Sequence, residues 1–336
     1  MPVIGPEPHE LIPLHISGPH PREVLDIAVT RAAARNRPAL HRLPGGPTAF
    51  VFAGGANRGA CQIGMLRALA ERGIRPDLVT GTSVGAINAA AYVGQPSIEG
   101  VALAESVWRK IRAEDIFPKG VLHGSWRFLE KRDSVFPPTG LRKLIDSFLR
   151  FERIEDSPIP LTIVATRVPE AVEQWFTAGP AAEAIIASAA LPAVFPVAEF
   201  EGERFVDGGV VNNVPLRPAL AAGAKRIFVL LCGSVDHQVS LGRRPFEALL
   251  TAFDVALLAR LKRDLEAVPD DVEVIVIEQP GLQAIDWEDF SHTAALIEEG
   301  YNEARLTLDR YELHRTATTA AAPLAHRRWW SRTPRP

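Results

Sequence analysis

The sequence predicts an α/β domain built on a mainly parallel central sheet flanked by helices, and three observations carry that prediction. From Thr48 onward, short apolar runs of strand character alternate with helical segments at close spacing. The first of these runs ends in glycines, Gly54 and Gly55, just before a helical pattern begins. Apolar residues make up 47% of the 336 and charged residues 23%. That is ordinary globular composition with ample material for a core, and a body of this size suits one α/β domain.

In chain order, residues 1–47 form a proline-rich N-terminal arm. It carries one predicted helix, over 22–35, with Leu25, Ala28, Val29 and Ala32 on one face and a stop at Asn36 to Pro38. The body spans 48–312. TAFVFAGG reads as a buried strand, and GACQIGMLRALAERG as a helix closed by Gly73. DLVTGTS is a second strand, followed by the helix VGAINAAAYVG, which stops before Pro96. Further strands are predicted at 161–168, 172–179, 204–209, 225–232 and 272–278, and helices at 141–149, 181–190, 246–266 and 290–311. Residues 117–139 mix Trp126, Phe128 and Phe136 with glycines, prolines and charges and show no sustained period; a loop of that length reads as a lid or a functional insertion. Residues 313–336 read as a flexible basic tail. Its Arg327, Arg328, Arg332 and Arg335 around Trp329 and Trp330 suit an anionic membrane surface, beside the plainer reading of a solvated chain end.

Several classes are disfavoured. A net charge of -3 gives no global attraction to nucleic acid. The two cysteines, Cys61 and Cys232, make neither a disulfide framework nor a metal site by spacing, which points to buried thiols in a reducing, cytoplasmic setting. The N-terminus lacks the basic patch and apolar run of a signal peptide. The long uncharged stretch from Leu78 to Ile98 contains Thr80, Thr82, Ser83 and Asn88, so it reads as buried core rather than a membrane span.

Three segments carry chemistry. Gly81-Thr82-Ser83-Val84-Gly85 matches G-x-S-x-G between a strand and a small-residue helix. There a sharp reversal lifts the serine Oγ above the sheet, and the flanking Gly81 and Gly85 let strand and helix approach closely. The plain alternative is a strand-to-helix turn with a capping serine. Gly54-Gly55-Ala56-Asn57-Arg58-Gly59 is a second glycine loop before a helix, able to present N–H donors to an oxyanion. It competes with a nucleotide-phosphate reading, although the spacing is not G-x-G-x-x-G and Asp77 offers only a weak ribose-binding acid. Arg58 either meets an anionic phosphate or headgroup or covers the outside of its helix. Asp207-Gly208-Gly209 ends a short strand, which suits a carboxylate in a tight turn and equally a plain β-turn.

Together, GGANRG, GTSVG and DGG in this order resemble the patatin-like phospholipase family, as do the weaker blocks ASAALPAVFPV (187–197) and NNVP. The resemblance runs from about Thr48 to Arg310. It departs at Ala56, where a third glycine often stands, and the N–H there is usable only if the local φ tolerates a Cβ. The resemblance implies a three-layer architecture and a Ser–Asp dyad, with Ser83 as nucleophile, Asp207 as base and the N–H groups of Gly54, Gly55 and Ala56 as oxyanion hole. It implies no metal and no cofactor. The implied substrate is a phospholipid or lysophospholipid acyl ester, reached through peripheral membrane contact. A Ser–Asp–His triad with His237 or His292 is the alternative chemistry. A nucleotide-binding module and a catalytically silent lipid-binding relative are the non-enzymatic alternatives.

Overall fold

The computed structural model describes residues 43, 45–117, 136–236, 245–282, 286 and 288–320. All of them fall within one unit, Ala39–Pro336. The predicted arm helix over 22–35, most of the 117–139 segment, His237 and residues 321–336 lie outside the described residues.

The described strands are β1 (Thr48–Phe52), β2 (Leu78–Thr82), β3 (Leu161–Val168), β4 (Val172–Phe176), β5 (Ala198–Phe200), β6 (Glu203–Asp207), β7 (Arg226–Leu230) and β8 (Glu273–Ile277). They form one sheet in the order β5-β6-β3-β2-β1-β7-β8, with β4 also on β3. The pairs β1–β2, β1–β7, β2–β3 and β7–β8 are parallel, and the three pairs involving β4, β5 and β6 are antiparallel. The sheet is mixed and mostly parallel.

The helices are α1 (Ala60–Glu71), α2 (Val84–Gly94), α3 (Ile98–Lys110), α4 (Ala113–Ile116), α5 (Thr139–Phe148), α6 (Ala181–Ser188), α7 (Leu216–Ala221), α8 (Pro245–Glu266) and α9 (Thr293–Ala320). Strand alternation sends Phe50 and Phe52 to one face of β1, into a core with Leu66, Leu69 and Leu308 from α1 and α9. Ala49 and Val51 face the other way, into a second core with Ala219 and Leu261 from α7 and α8. Two cores on opposite faces of one sheet make three layers.

Most predicted elements are present with ends shifted by a few residues, except that α9 runs on to Ala320, nine residues past its predicted end and into the segment read as a flexible tail. The stretch from Leu78 is strand β2 and the wholly core-facing helix α2, whose residues are almost all buried. Among the described residues no helix is long and apolar enough to cross a membrane. Helix α3, strand β5 and the short helices α4 and α7 are additions to the predicted set. The start of α3 is marked by Ser97, whose side chain accepts from the Gly100 N–H at 3.1 Å. That cap sits directly after Gln95-Pro96, where the pattern reads as the end of a helix rather than as the gap between two.

The feature that builds the site is the pairing of β3. Its residues 161–164 pair with β2, and its residues 165–168 pair with β6. Strand β4 spans the junction on the opposite edge, pairing with residues 163–167. Strands β2 and β6 therefore share one edge of β3 and meet there, carboxyl end to carboxyl end. Thr82 faces Val164 and Asp207 faces the next residue, Ala165.

Candidate active site

Ser83 leaves the end of β2 with φ 57° and ψ -129°, left-handed backbone that a non-glycine residue adopts only under constraint. The constraint comes from close packing of strand on helix. A Cβ added at Gly81 would sit 2.6 Å from the Gly85 carbonyl oxygen, and one at Gly85 would strike the Phe52 carbonyl oxygen. The reversal places Ser83 at the N-terminus of α2, where its own carbonyl accepts from the Ala86 N–H at 2.9 Å.

Asp207, at the end of β6, lies beside it. The Ser83 hydroxyl donates to Asp207 Oδ2 at 2.6 Å, across 124 residues of sequence. Asp207 Oδ1 accepts from the Gly209 N–H at 2.7 Å, so the DGG turn orients the carboxylate. The Asp207 backbone is fixed as well: its N–H donates to the Ala190 carbonyl at 2.9 Å, and its own carbonyl accepts from the Thr166 hydroxyl at 3.0 Å. Asp207 is only 3% exposed, whereas Ser83 is half-buried. Burial pushes the Asp207 carboxyl up from 3.8 to about 6, against the two hydrogen bonds that favour its charged form. A base in that range works far better near neutrality than an ordinary aspartate.

The glycine loop packs directly over Ser83, since a Cβ at Gly54 would come within 3.2 Å of the Ser83 Cβ. The structure corrects one expectation here. The Gly54 N–H donates to the Asn213 carbonyl at 3.0 Å and is not a free oxyanion donor. The N–H groups of Gly55 and Ala56 have no such partner among the described residues. Gly54 is spent on joining the loop to the segment after the aspartate. The same segment accepts from Thr82 at the Asn212 carbonyl (3.1 Å) and from Thr80 at the Pro215 carbonyl (2.9 Å). That is the physical content of the NNVP block.

Ala56 has φ 52°. The chain holds an alanine in left-handed backbone at the position where glycine fits without strain. Ala56→Gly releases roughly 1–2 kcal/mol of that strain and gives back about 0.5–1 kcal/mol through the freer unfolded chain. A net gain of ~0.5–1 kcal/mol follows, measured as a higher urea midpoint; a lower midpoint would show that the Cβ contributes packing.

Arg58 is half-buried on the loop and donates from Nε to the Gly55 carbonyl at 3.2 Å. Asp77 precedes β2, at the opposite end of the sheet from this loop. Its carboxylate accepts from the Thr48 N–H at 2.8 Å, a strand tether remote from any phosphate cradle. His292 pairs with Asp289 at 3.3 Å and is half-exposed; Asp207 receives no histidine among the described residues. Cys61 and Cys232 are buried free thiols.

Sequence reasoning missed the buried polar support. Trp108 Nε1 donates to Asn88 Oδ1 at 2.8 Å, and Asn88 Nδ2 donates to the Gly59 carbonyl and to Gln62 Oε1. Gln62 Nε2 then donates to the carbonyls of Ala53 and Leu230. This satisfied chain holds the tips of β1 and β7 and the far end of the glycine loop. Its signal was present in the sequence: Gln62 and Asn88 are polar residues with apolar neighbours on both sides, Cys61 and Ile63 for one and Ile87 and Ala89 for the other. A groove of about 540 Å³, lined by Leu141, Ile186, Phe195 and Val197 with the Arg142–Glu183 ion pair among its walls, reaches Ala190 next to Asp207.

A family model described as patatin-like phospholipase matches residues 50–220. The chain is 31% identical over 199 residues to patatin-like phospholipase domain-containing protein 7 of Rattus norvegicus, covering 58% of this chain and 14% of that protein. It is 33% identical over 201 residues to lysophospholipase NTE1 of Mycosarcoma maydis, covering 58% of this chain and 10% of that protein. The chain thus corresponds to a small part of each relative. Among solved structures, VipD from Legionella pneumophila aligns with a TM-score of 0.43 at 15% identity, over 86% of this chain and 73% of that one.

Proposed function

Since the chain belongs to the patatin-like phospholipase family, we propose that it hydrolyses acyl esters of phospholipids or lysophospholipids through a Ser83–Asp207 dyad. The observation that carries this reading is the 2.6 Å hydrogen bond from an accessible, strained serine to a buried carboxylate poised near neutrality.

In this mechanism Ser83 Oγ attacks the ester carbonyl while Asp207 takes its proton. The N–H groups of Gly55 and Ala56, with the N-terminus of α2, stabilise the oxyanion. Collapse of the tetrahedral intermediate breaks the ester bond, and Asp207 returns the proton to the departing alcohol. An acyl-serine remains. Asp207 then takes a proton from water, which attacks the acyl carbonyl; as the bond to Ser83 Oγ breaks, Asp207 passes that proton to the serine oxygen, and the fatty acid leaves with both residues restored. The apolar groove beside Ala190 suits an acyl chain. Arg58, on the glycine loop, supplies the cation for a phosphate headgroup. Access to the substrate is by peripheral contact with a lipid surface.

The test is release of free fatty acid from phospholipid and lysophospholipid in mixed micelles, with the wild type and with His237→Ala. Release by both proteins is expected. No release from either lipid by well-folded protein overturns the substrate class. Loss on His237→Ala alone would replace the dyad by a triad.

A further inference from the structure

Ser188 is wholly buried at the C-terminal end of α6, and its hydroxyl makes two short bonds. Its oxygen accepts from the Ser83 N–H at 2.9 Å, and its proton is donated to the Val164 carbonyl at 2.6 Å. The meaning of this bridge follows from the sheet register. In the parallel ladder between β2 and β3, the Val79 N–H donates to the Pro160 carbonyl at 2.8 Å. Donors then recur every second residue along β2. The next two are Gly81 and Ser83, and the carbonyl that the ladder assigns to the Ser83 N–H is that of Val164.

That direct bond is not made. Ser83 has turned to φ 57°, and the Ser188 hydroxyl stands in the gap with one bond to each former partner. A plain strand end would leave Ser83 extended, its side chain standing on one face of the sheet. Turning it out would strand one buried donor and one buried acceptor, each costly in the interior. The inserted hydroxyl removes that cost, so the turned conformation needs no orphaned groups.

We infer that Ser188 is a positioning residue, a hydroxyl inserted into the β2–β3 ladder that holds Ser83 in its projecting conformation. This rests on the proposed role of Ser83 as nucleophile. The hydrogen bonds of the Ser188 hydroxyl go to the Ser83 N–H and the Val164 carbonyl, and not to the Ser83 hydroxyl or Asp207 Oδ2, so it acts on where the nucleophile stands and not on how readily its proton leaves.

The experiment measures the rate of fluorophosphonate labelling for wild type, Ser188→Ala, Ser188→Cys and Ser157→Ala, each with its urea midpoint and a pH profile. Ser157→Ala is the control: it removes another serine hydroxyl bond, to the Ile159 carbonyl at 2.7 Å, just before the start of β3 and away from Val164. Ser188→Ala is expected to label about 30-fold more slowly than wild type. Its pH midpoint should be unchanged, since Asp207 is untouched. Ser157→Ala should lose stability yet label at the wild-type rate. Labelling of folded Ser188→Ala at the wild-type rate overturns the proposal, as does equal slowing in Ser157→Ala. If Ser188→Ala does not fold, Ser188→Cys decides, because its thiol keeps the shape and bonds weakly; a wild-type rate there overturns the proposal and a slowed rate supports it. Absence of labelling on the wild type itself overturns the nucleophile assignment, and this inference with it.

Discussion

Ser83→Ala is expected to abolish covalent labelling by a fluorophosphonate and to lower ester hydrolysis by at least about 10⁴-fold. Intact mass would show one adduct on the wild type and none on the variant. The geometry makes this loss specific. The Ser83 hydroxyl combines partial exposure, an aspartate partner at 2.6 Å and a glycine loop overhead. The fold should survive, because alanine keeps the backbone N–H that Ser188 binds and the Gly81–Gly85 packing that shapes the turn. Ser83→Gly provides the companion measurement. It is equally inactive and, free of a Cβ at φ 57°, should be slightly more stable than the alanine variant. An adduct that persists on Ser83→Ala would place the nucleophile elsewhere.

Asp207→Asn should also lose at least about 10³-fold in acyl transfer, by removal of the base, while gaining stability at neutral pH. The sign follows from the carboxyl's displacement from 3.8 to about 6 by burial. Below the lower value the group is protonated in both folded and unfolded chains and costs nothing. Between the two, the folded protein holds a proton that the unfolded chain has released, so stability falls as pH rises through this window. Above about pH 6 the folded state carries the full cost of a buried charge, roughly 3 kcal/mol. Asparagine has the same shape and no charge to desolvate. Its carbonyl oxygen still accepts from Gly209, and its amide can donate to the Ser83 oxygen. Urea midpoints should therefore be close at pH 4 and clearly higher for the variant at pH 8. The wild-type labelling rate should rise through a midpoint near pH 6 and level off, and the variant should lack that midpoint. Equal stability of the two proteins at pH 8 would mean that the carboxylate is solvated, and the poised-base argument would fail.

These effects arise at positions whose legibility in the sequence differed. The turn at Ser83 was readable because its causes are local: a strand-length apolar run, two glycines and a helix of small residues within about fifteen positions. Asp207 was readable only as a candidate, since Asp-Gly turns are common and nothing in the local sequence says what the carboxylate faces. The glycine loop was legible as a link from strand to helix, but not the fate of its Gly54 N–H, which is claimed by Asn213, a partner 159 residues away. Helix α3 escaped notice because Gln95-Pro96 both ends one helix and precedes the Ser97 cap of the next.

By itself, the sequence determined the α/β class, the alternation of the elements, the strained elbow and the residue types that the chemistry needs. Each depends on backbone sterics and side-chain periodicity, forces that act over a few residues. Only the tertiary structure decided that β2 and β6 share one edge of β3, and this brings Ser83 and Asp207 within a hydrogen bond. It also decided which N–H groups stay open, that Ser188 completes a broken ladder, and that burial pushes the Asp207 carboxyl up to about 6. Those outcomes depend on burial and on hydrogen-bond partners far apart in the chain. Desolvation and hydrogen bonding respond to whatever lies within a few ångströms, and the pairing of the sheet sets those neighbours.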